Sequence, residues 1–465
     1  MIRFSMMGFV VILSIGAWAY DASIDEDGML RVDGKRQFII GLYEQAPDDA
    51  FAEEISKAGF NLIRAGDSRE ALDRAAKYGL QCWIPLSGLA VQDDPGASRL
   101  REIVNAWKSH PALSIWEAPD EALWNVWWLR WNRAVQRWSE VDQAIRKYQG
   151  EPEQVEALKK DQAAWRRYRS SGRYGLAEDI EDDIRMRLGM APAEERLSEW
   201  HTHLPELYDQ LKKGCQIVRE CDPDHVLWFN HAPRNTMNDL TLFGRLADIV
   251  GCDIYPVPFG PQVGHSDLTE RNLASVGRYT ERMAQSAPGK PVWMVLQGFG
   301  WDDLSESPPT EERPRPTLAQ TRFMAYDAIV NGARGILYWG TYRVNKDSQL
   351  WADLKQTASE LHSIEPLLSA PDANESCRLT LHHTSASDEN SVRWLIKKQR
   401  DSAAIILANE SSSPLAFDID GLESWNGRAF KVLGEEETLL VQNGKLSFGL
   451  PALSAAVLLN DAQSQ

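Results

Sequence analysis

The chain has 465 residues, of which 43% are hydrophobic, enough for a large domain and a smaller one. Its formal net charge of −17 argues against nucleic acid or an anionic membrane as a partner. The same charge disfavours a strongly polyanionic substrate unless a local basic pocket overrides it.

Residues 1–19 read as a secretory signal. Arg3 supplies the positive start, Phe9–Ile15 the apolar run, and Ala17-Trp18-Ala19 a small-x-small cleavage site. The apolar run is short for a membrane span, and no later segment is apolar enough to cross a bilayer. The expectation is a protein secreted or periplasmic, off the membrane once the signal is removed. Five cysteines are too few and too scattered for a disulfide framework. Cys82 and Cys252 lie in apolar runs, and Cys215 and Cys221 flank one helix end. Eighteen tryptophans suit sugar stacking as well as core filling.

From residue 38 to 340, eight strand candidates follow in order: Phe38–Glu44, Asn61–Gly66, Gln81–Ser87, Leu113–Glu121, His225–Pro233, Asp248–Val257, Pro291–Phe299 and Gly332–Gly340. Most are continuous apolar runs, as strands buried on both faces are. Helical patterns alternate with them: Asp48–Ala58, Arg69–Tyr78, Ala97–Lys108, Pro205–Cys221, Asn238–Leu246, Glu270–Ser286 and Thr317–Asn331. This α/β alternation predicts a (β/α)8 TIM barrel over residues 20–370, with its site at the carboxyl ends of the strands.

Residues 122–204 interrupt the alternation as a mostly helical insertion after strand four. Trp124, Trp127, Trp128 and Trp131, with Trp138 a heptad later, share one helical face. That face is expected to pack the insertion onto the barrel; the competing reading is that it walls the cleft. Short alternating runs separated by turn residues then predict an antiparallel β-sandwich over residues 371–465.

The strand ends carry a coherent chemistry. Strand four runs into adjacent carboxylates, Asp120 and Glu121, between Trp116 and Trp124. Like charges raise each other's pKa, which suits a group that must deliver a proton to a leaving oxygen. The other strand ends offer Glu44, Arg64 with Asp67 just beyond, Asn230 and His231, Asp253 and Tyr255, Gln297, and Trp339. Carboxyls for acid and base, amides and an arginine for hydroxyls, and aromatics for stacking are what sugar hydrolysis requires. Glu117 lies further back along strand four, facing either the barrel core or the helix layer, and Glu121 is preferred as the acid. Neither His201-Thr202-His203 nor His382-His383 comes with a third ligand at metal spacing, so no metal or cofactor is expected.

Several segments carry a family resemblance: Val32-Asp-Gly-Lys35 before Phe38-Ile-Ile-Gly-Leu-Tyr43, Ala58-Gly-Phe-Asn61, His110-Pro-Ala-Leu113, Trp116 to Glu121, and Ile336-Leu-Tyr-Trp339. Over roughly residues 28–345 the chain resembles the large clan of (β/α)8 glycoside hydrolases. The resemblance implies a carbohydrate substrate and makes Glu121 the general acid. The clan usually has Asn before that Glu, where this chain has Asp120, and a nucleophilic Glu ending strand seven, where this chain has Gln297. An amide cannot replace a carboxylate nucleophile.

Three readings follow. The enzyme is inverting, with Asp253 or Asp67 activating water. Or it is substrate-assisted, similar to hexosaminidases that use the substrate's 2-acetamido oxygen, with Asp120 orienting that group and Tyr255 bonding the intermediate. Or the barrel is a non-catalytic carbohydrate-binding protein. The site residues favour a glycosidase, with Glu121, Asp120 and Asp253 as its carboxyls.

Overall fold

The computed structural model describes residues 21–233, 235–258, 272–306, 313–373, 376–382 and 390–460. The expected signal segment lies outside the described residues. So does the start of the helix expected from Glu270.

Eight parallel strands close into a barrel: Ile39–Leu42, Leu62–Arg64, Gln81–Pro85, Leu113–Glu117, Val226–His231, Ile249–Ile254, Val292–Gln297 and Ala333–Trp339, numbered barrel strands one to eight. Strand eight pairs with strand one, Ile336 opposite Ile40, and completes the ring. The helices Asp49–Lys57, Arg69–Lys77, Asp94–Trp107, Leu204–Cys221, Met237–Gly244, Ser275–Ser286 and Leu318–Val330 lie between the strands, as expected. An eighth, Gln349–Ser363, follows strand eight where no helix was expected. Asp48, Ser68, Asp93, Thr236, Thr317 and Ser348 cap six of these helices by accepting a backbone N–H bond.

Period two decides what each strand shows to the lumen. Ile39, Leu62, Trp83, Ile115, Trp228, Ile249, Trp293, Val295 and Leu337 fill it. Alternate residues such as Ile40, Trp116, Phe229 and Met294 face the helices. A small antiparallel sheet, Ala22–Ile24, Leu30–Val32 and Lys35–Gln37, was not expected. Its Ala22, Leu30 and Val32 join the lumen cluster and plug the amino end of the barrel.

The insertion is three helices, Ala122–Lys147, Pro152–Ser170 and Tyr174–Arg187, followed by a 3₁₀ segment, Leu197–His203. The expectation that its tryptophan face packs on the barrel is corrected. Trp138 and Trp165 are buried with Leu158, Ala177 and Ile184, and Trp127 and Trp131 pack against them, in a core belonging to the insertion. A lone long helix cannot bury so wide an apolar stripe, and its two partner helices cover the inner part of it.

The C-terminal unit has one sheet of Arg378–Leu381, Leu415–Asp420 and Lys445–Leu450. The other is of Val392–Gln399, Ser402–Asn409, Ser454–Asn460, Ala429–Val432 and Thr438–Leu440. All pairings are antiparallel. Phe417, Ile405, Phe430 and Trp425 fill the space between the sheets, as a sandwich requires. Helix Leu318–Val330 packs against strands Ser402–Asn409 and Ser454–Asn460.

Candidate active site

Strand four ends at Glu117, four residues earlier than expected, because Pro119 has no N–H to offer a neighbouring strand. The bend Ala118–Asp120 remains tied to strand five. The N–H of Ala118 donates to the carbonyl of Trp228 at 2.9 Å, and that of Glu121 to Asn230 at 3.2 Å. Glu121 itself is left-handed, φ 47°, at the start of helix Ala122–Lys147. That conformation costs a residue with a Cβ of order 1–3 kcal/mol, and such strain gathers at functional sites. It brings Asp120 into the wall of the cavity at the mouth of the lumen, while Glu121, whose Oε1 is buried, places its charge beside Asp120 and Asp253.

A cavity of about 600 Å³ opens at this end of the barrel. Tyr43, Glu44, Arg64, Asp120, Trp339, Tyr342 and Lys346 line it. Beside it runs a hydrogen-bonded chain. The Asn230 Nδ2 donates to Asp120 Oδ1 at 2.8 Å and to Asp253 Oδ1 at 2.6 Å, and the Tyr255 hydroxyl donates to Asp253 Oδ2 at 2.7 Å. Tyr255 also stacks on Trp339, centroids 5.5 Å apart. Residues from strands four, five, six and eight thus meet, as expected for the rim.

The electrostatics are set first by burial, which the charges of Arg64 and Lys346 offset only in part. Asp120 opens to the cavity yet sits deep in the cleft. Loss of surrounding water, then the charge of Glu121, push its carboxyl up to about 6. Asp253 is 5% exposed, and burial, then the charges of Glu121 and Asp120, raise it well above the usual carboxylate range. Glu44 is raised by burial, although Lys346 opposes this across a 2.7 Å ion pair. Arg64 makes no hydrogen bond to a described residue, so its fork remains available in the cavity wall. Asn230 Oδ1 is buried without a hydrogen-bond partner.

Three expected residues are not gathered into this group. Asp67 is exposed beyond strand two and does not line the cavity. His231 shares the helix-facing side of strand five with Phe229, whose ring is 6.2 Å away. The strand's alternation sends Asn230 inward and His231 outward, and burial drops the imidazole to about 4. Gln297 is 0% exposed and clips the backbone together: its Oε1 accepts from Val257 N at 2.8 Å, and its Nε2 donates to Val257 O at 2.6 Å and Phe299 O at 3.0 Å. A glutamate there could accept one of these bonds but donate neither of the others.

Glu117, not expected as the acid, lies beneath this group. It faces the lumen under Asp120, accepting from the Tyr43 hydroxyl at 2.6 Å and Trp83 Nε1 at 3.0 Å. Burial, then the charge of Asp120, raise it to about 8. Its place two residues after lumen-facing Ile115 is the signal that settles its direction. Lys346 and Tyr342 had no such signal, since both lie in the segment after strand eight.

No family model matches the chain, and no curated protein matches it. Solved structures do. A glycoside hydrolase family 5 protein from Bacteroides vulgatus superposes with a TM-score of 0.55 at 13% identity, covering 96% of this chain and 94% of that one. A protein described as a glycoside hydrolase gives 0.54 at 13% identity, covering 96% and 98%. A cold-adapted β-galactosidase from Rahnella sp. R3 gives 0.51 at 9%, covering 96% and 100%. The (β/α)8 fold of this chain is thus the fold of known glycoside hydrolases along nearly its whole length.

Proposed function

We propose that the protein is a glycoside hydrolase that cleaves 2-acetamido sugars by a substrate-assisted route. One observation carries this choice: Asp120 opens to the cavity while both oxygens of Asp253 are already occupied, by Asn230 and Tyr255. The buried, proton-retaining Asp253 is a poor base for an inverting reaction, and exposed Asp67 does not line the cavity. With Gln297 holding backbone, strand seven supplies no nucleophile. The nucleophile then comes from the substrate.

In this reaction the Asp120 carboxylate accepts the acetamido N–H and turns the acetamido oxygen toward C1. That oxygen forms a bond to C1 as the C1–O glycosidic bond breaks, and Glu121 gives its proton to the departing oxygen. The Glu121 carboxylate then takes a proton from water. The water oxygen bonds to C1, the ring of the intermediate opens, and the acetamido group is regenerated. Arg64 serves the sugar hydroxyls, and Trp339 the ring face. We further propose that the protein is exported, on the strength of residues 1–19.

The test is hydrolysis of matched aryl glycosides with and without the 2-acetamido group. Selective release from the acetamido sugar, lost in Glu121→Gln, supports the reading. Equal release from both refutes the substrate-assisted route. Binding without product from either sugar would favour a carbohydrate-binding barrel, the reading that an amide at position 297 also fits.

A further inference from the structure

We infer that the helix rising from Glu121 carries a stacking platform for the leaving-group side of an oligosaccharide, built on Trp128 with Trp124 and Trp127. The inference rests on the glycosidase reading and extends it from a sugar to a chain of sugars.

The placement comes from the barrel. The cavity is walled by residues of strands one, two and eight and the segments after them, together with Asp120. The helix Ala122–Lys147 leaves from strand four, on the opposite side of the ring. An acid at Glu121 protonates the oxygen joining two sugars. If one sugar fills the cavity, the departing one lies toward the helix. On that helix Trp124 and Trp128 stand four residues apart, the spacing that puts the two on one face, with Trp124 in the first turn after Glu121. At 1.5 Å per residue, Trp128 lies roughly 10 Å along the axis from Glu121, about the length of a disaccharide.

The indoles are held in advance. Trp124 and Trp127 have centroids 4.4 Å apart, and Trp128 lies 6.3 and 6.2 Å from them. Trp127 stacks on Trp131 at 5.2 Å, and Trp131 meets Trp138 edge-on at 5.2 Å. Trp138 is buried and its Nε1 donates to Glu181 at 3.0 Å. The row is therefore anchored in the insertion core at one end. At the other it presents Trp128, 43% exposed, the only exposed tryptophan among the described residues. Large rings already fixed in place bind a ligand at low entropic cost. The carboxyls at the cleavage point favour uncharged sugars over acidic ones there.

The test compares wild type, Trp128→Ala and Trp128→Phe on the aryl glycoside of one 2-acetamido sugar and on a 2-acetamido tetrasaccharide. Leu129→Ala, which removes an exposed apolar side chain next to Trp128, is the control. Trp128→Ala should raise KM for the tetrasaccharide about tenfold more than for the aryl glycoside, with Trp128→Phe in between and Leu129→Ala at wild-type ratio. An unchanged KM ratio in Trp128→Ala overturns the platform. If wild type releases no product from either, the glycosidase reading has failed, and calorimetric binding of the tetrasaccharide decides this one. Affinity weakened by Trp128→Ala keeps the platform; affinity absent or unaltered removes it.

Discussion

In the insertion, Glu178 and Glu181 are fully buried, and both are met by N–H and O–H donors and by Arg137, 3.6 Å from Glu178 and 2.6 Å from Glu181. Glu181 accepts from Arg137 Nε at 2.6 Å and Trp138 Nε1 at 3.0 Å. Glu178 accepts from the N–H of Leu197 and Ser198 and from the Ser198 hydroxyl, with Arg196 3.6 Å away. At the barrel rim, Asp120 and Asp253 have to share one asparagine amide, and neither forms an ion pair among the described residues. Burying a charge for structure brings a counter-ion with it, because an unpaired buried charge is costly. Leaving two carboxyls together with no ion pair, Arg64 acting on Asp120 only through its charge, is sustained where raised pKa values are of use. On the proposed reading the contrast separates a structural carboxylate from a working one, although both are equally acidic in the sequence.

The sharpest way to break the contrast is at Glu121. Glu121→Gln should cut kcat by about 10²–10⁴, the range for a general acid, with circular dichroism unchanged. Asp120→Asn should cost about 10²–10³ in kcat/KM for acetamido substrates, the scale for a preorganised electrostatic partner. Because Asp120 works as the carboxylate and is raised to about 6, wild-type kcat/KM should climb as pH rises through about 6. The asparagine variant should lose that limb; a retained limb assigns the titration to another group.

Two predictions concern stability. Glu181→Ala removes the nearest acceptor of Arg137 and Trp138, leaving Arg137 with Glu178 at 3.6 Å and the Glu195 carbonyl at 3.0 Å, and should cost about 1–3 kcal/mol there. Hydrogen exchange should show residues 122–187 opening first, and uniform protection would contradict an independent insertion core. Glu117 holds its proton from its ordinary 4.5 up to about 8 in the folded protein. Its share of stability is thus fully present below 4.5 and lost as pH rises to about 8, by at most about 1.4 kcal/mol per pH unit. Glu117→Gln keeps a neutral group under Asp120 and should flatten that decline in urea melts from pH 5 to 8. The smallest effect is the tenfold KM discrimination expected at Trp128.

The barrel was legible because strands buried on both faces read as apolar runs that alternate with helical patterns. The sandwich was legible from alternation between turns. The plug sheet was not, since Ala22–Ile24 and Lys35–Gln37 are only three residues each and take their meaning from the lumen they close. The rim carboxyls could be named from strand ends alone. What failed was direction: His231 adjoins Asn230 in sequence and faces the other way, and Gln297 points inward but spends its amide on Val257 and Phe299. Strand period settles the first; only the fold, which brings Val257 to Gln297, settles the second. The tryptophan stripe forms one helical face as expected, but its partners in the other two helices start at Leu158, 20 residues after Trp138, and the polar composition of those helices hid their buried sides.

The central claim is that the substrate supplies the nucleophile that strand seven lacks. The measurement that tests it most directly is hydrolysis of a 2-acetamido aryl glycoside beside the same glycoside bearing a 2-hydroxyl, by wild type and Glu121→Gln. The account expects product from the acetamido compound alone, and almost none from the variant. Equal turnover of the 2-hydroxyl compound, or full activity in Glu121→Gln, would contradict it.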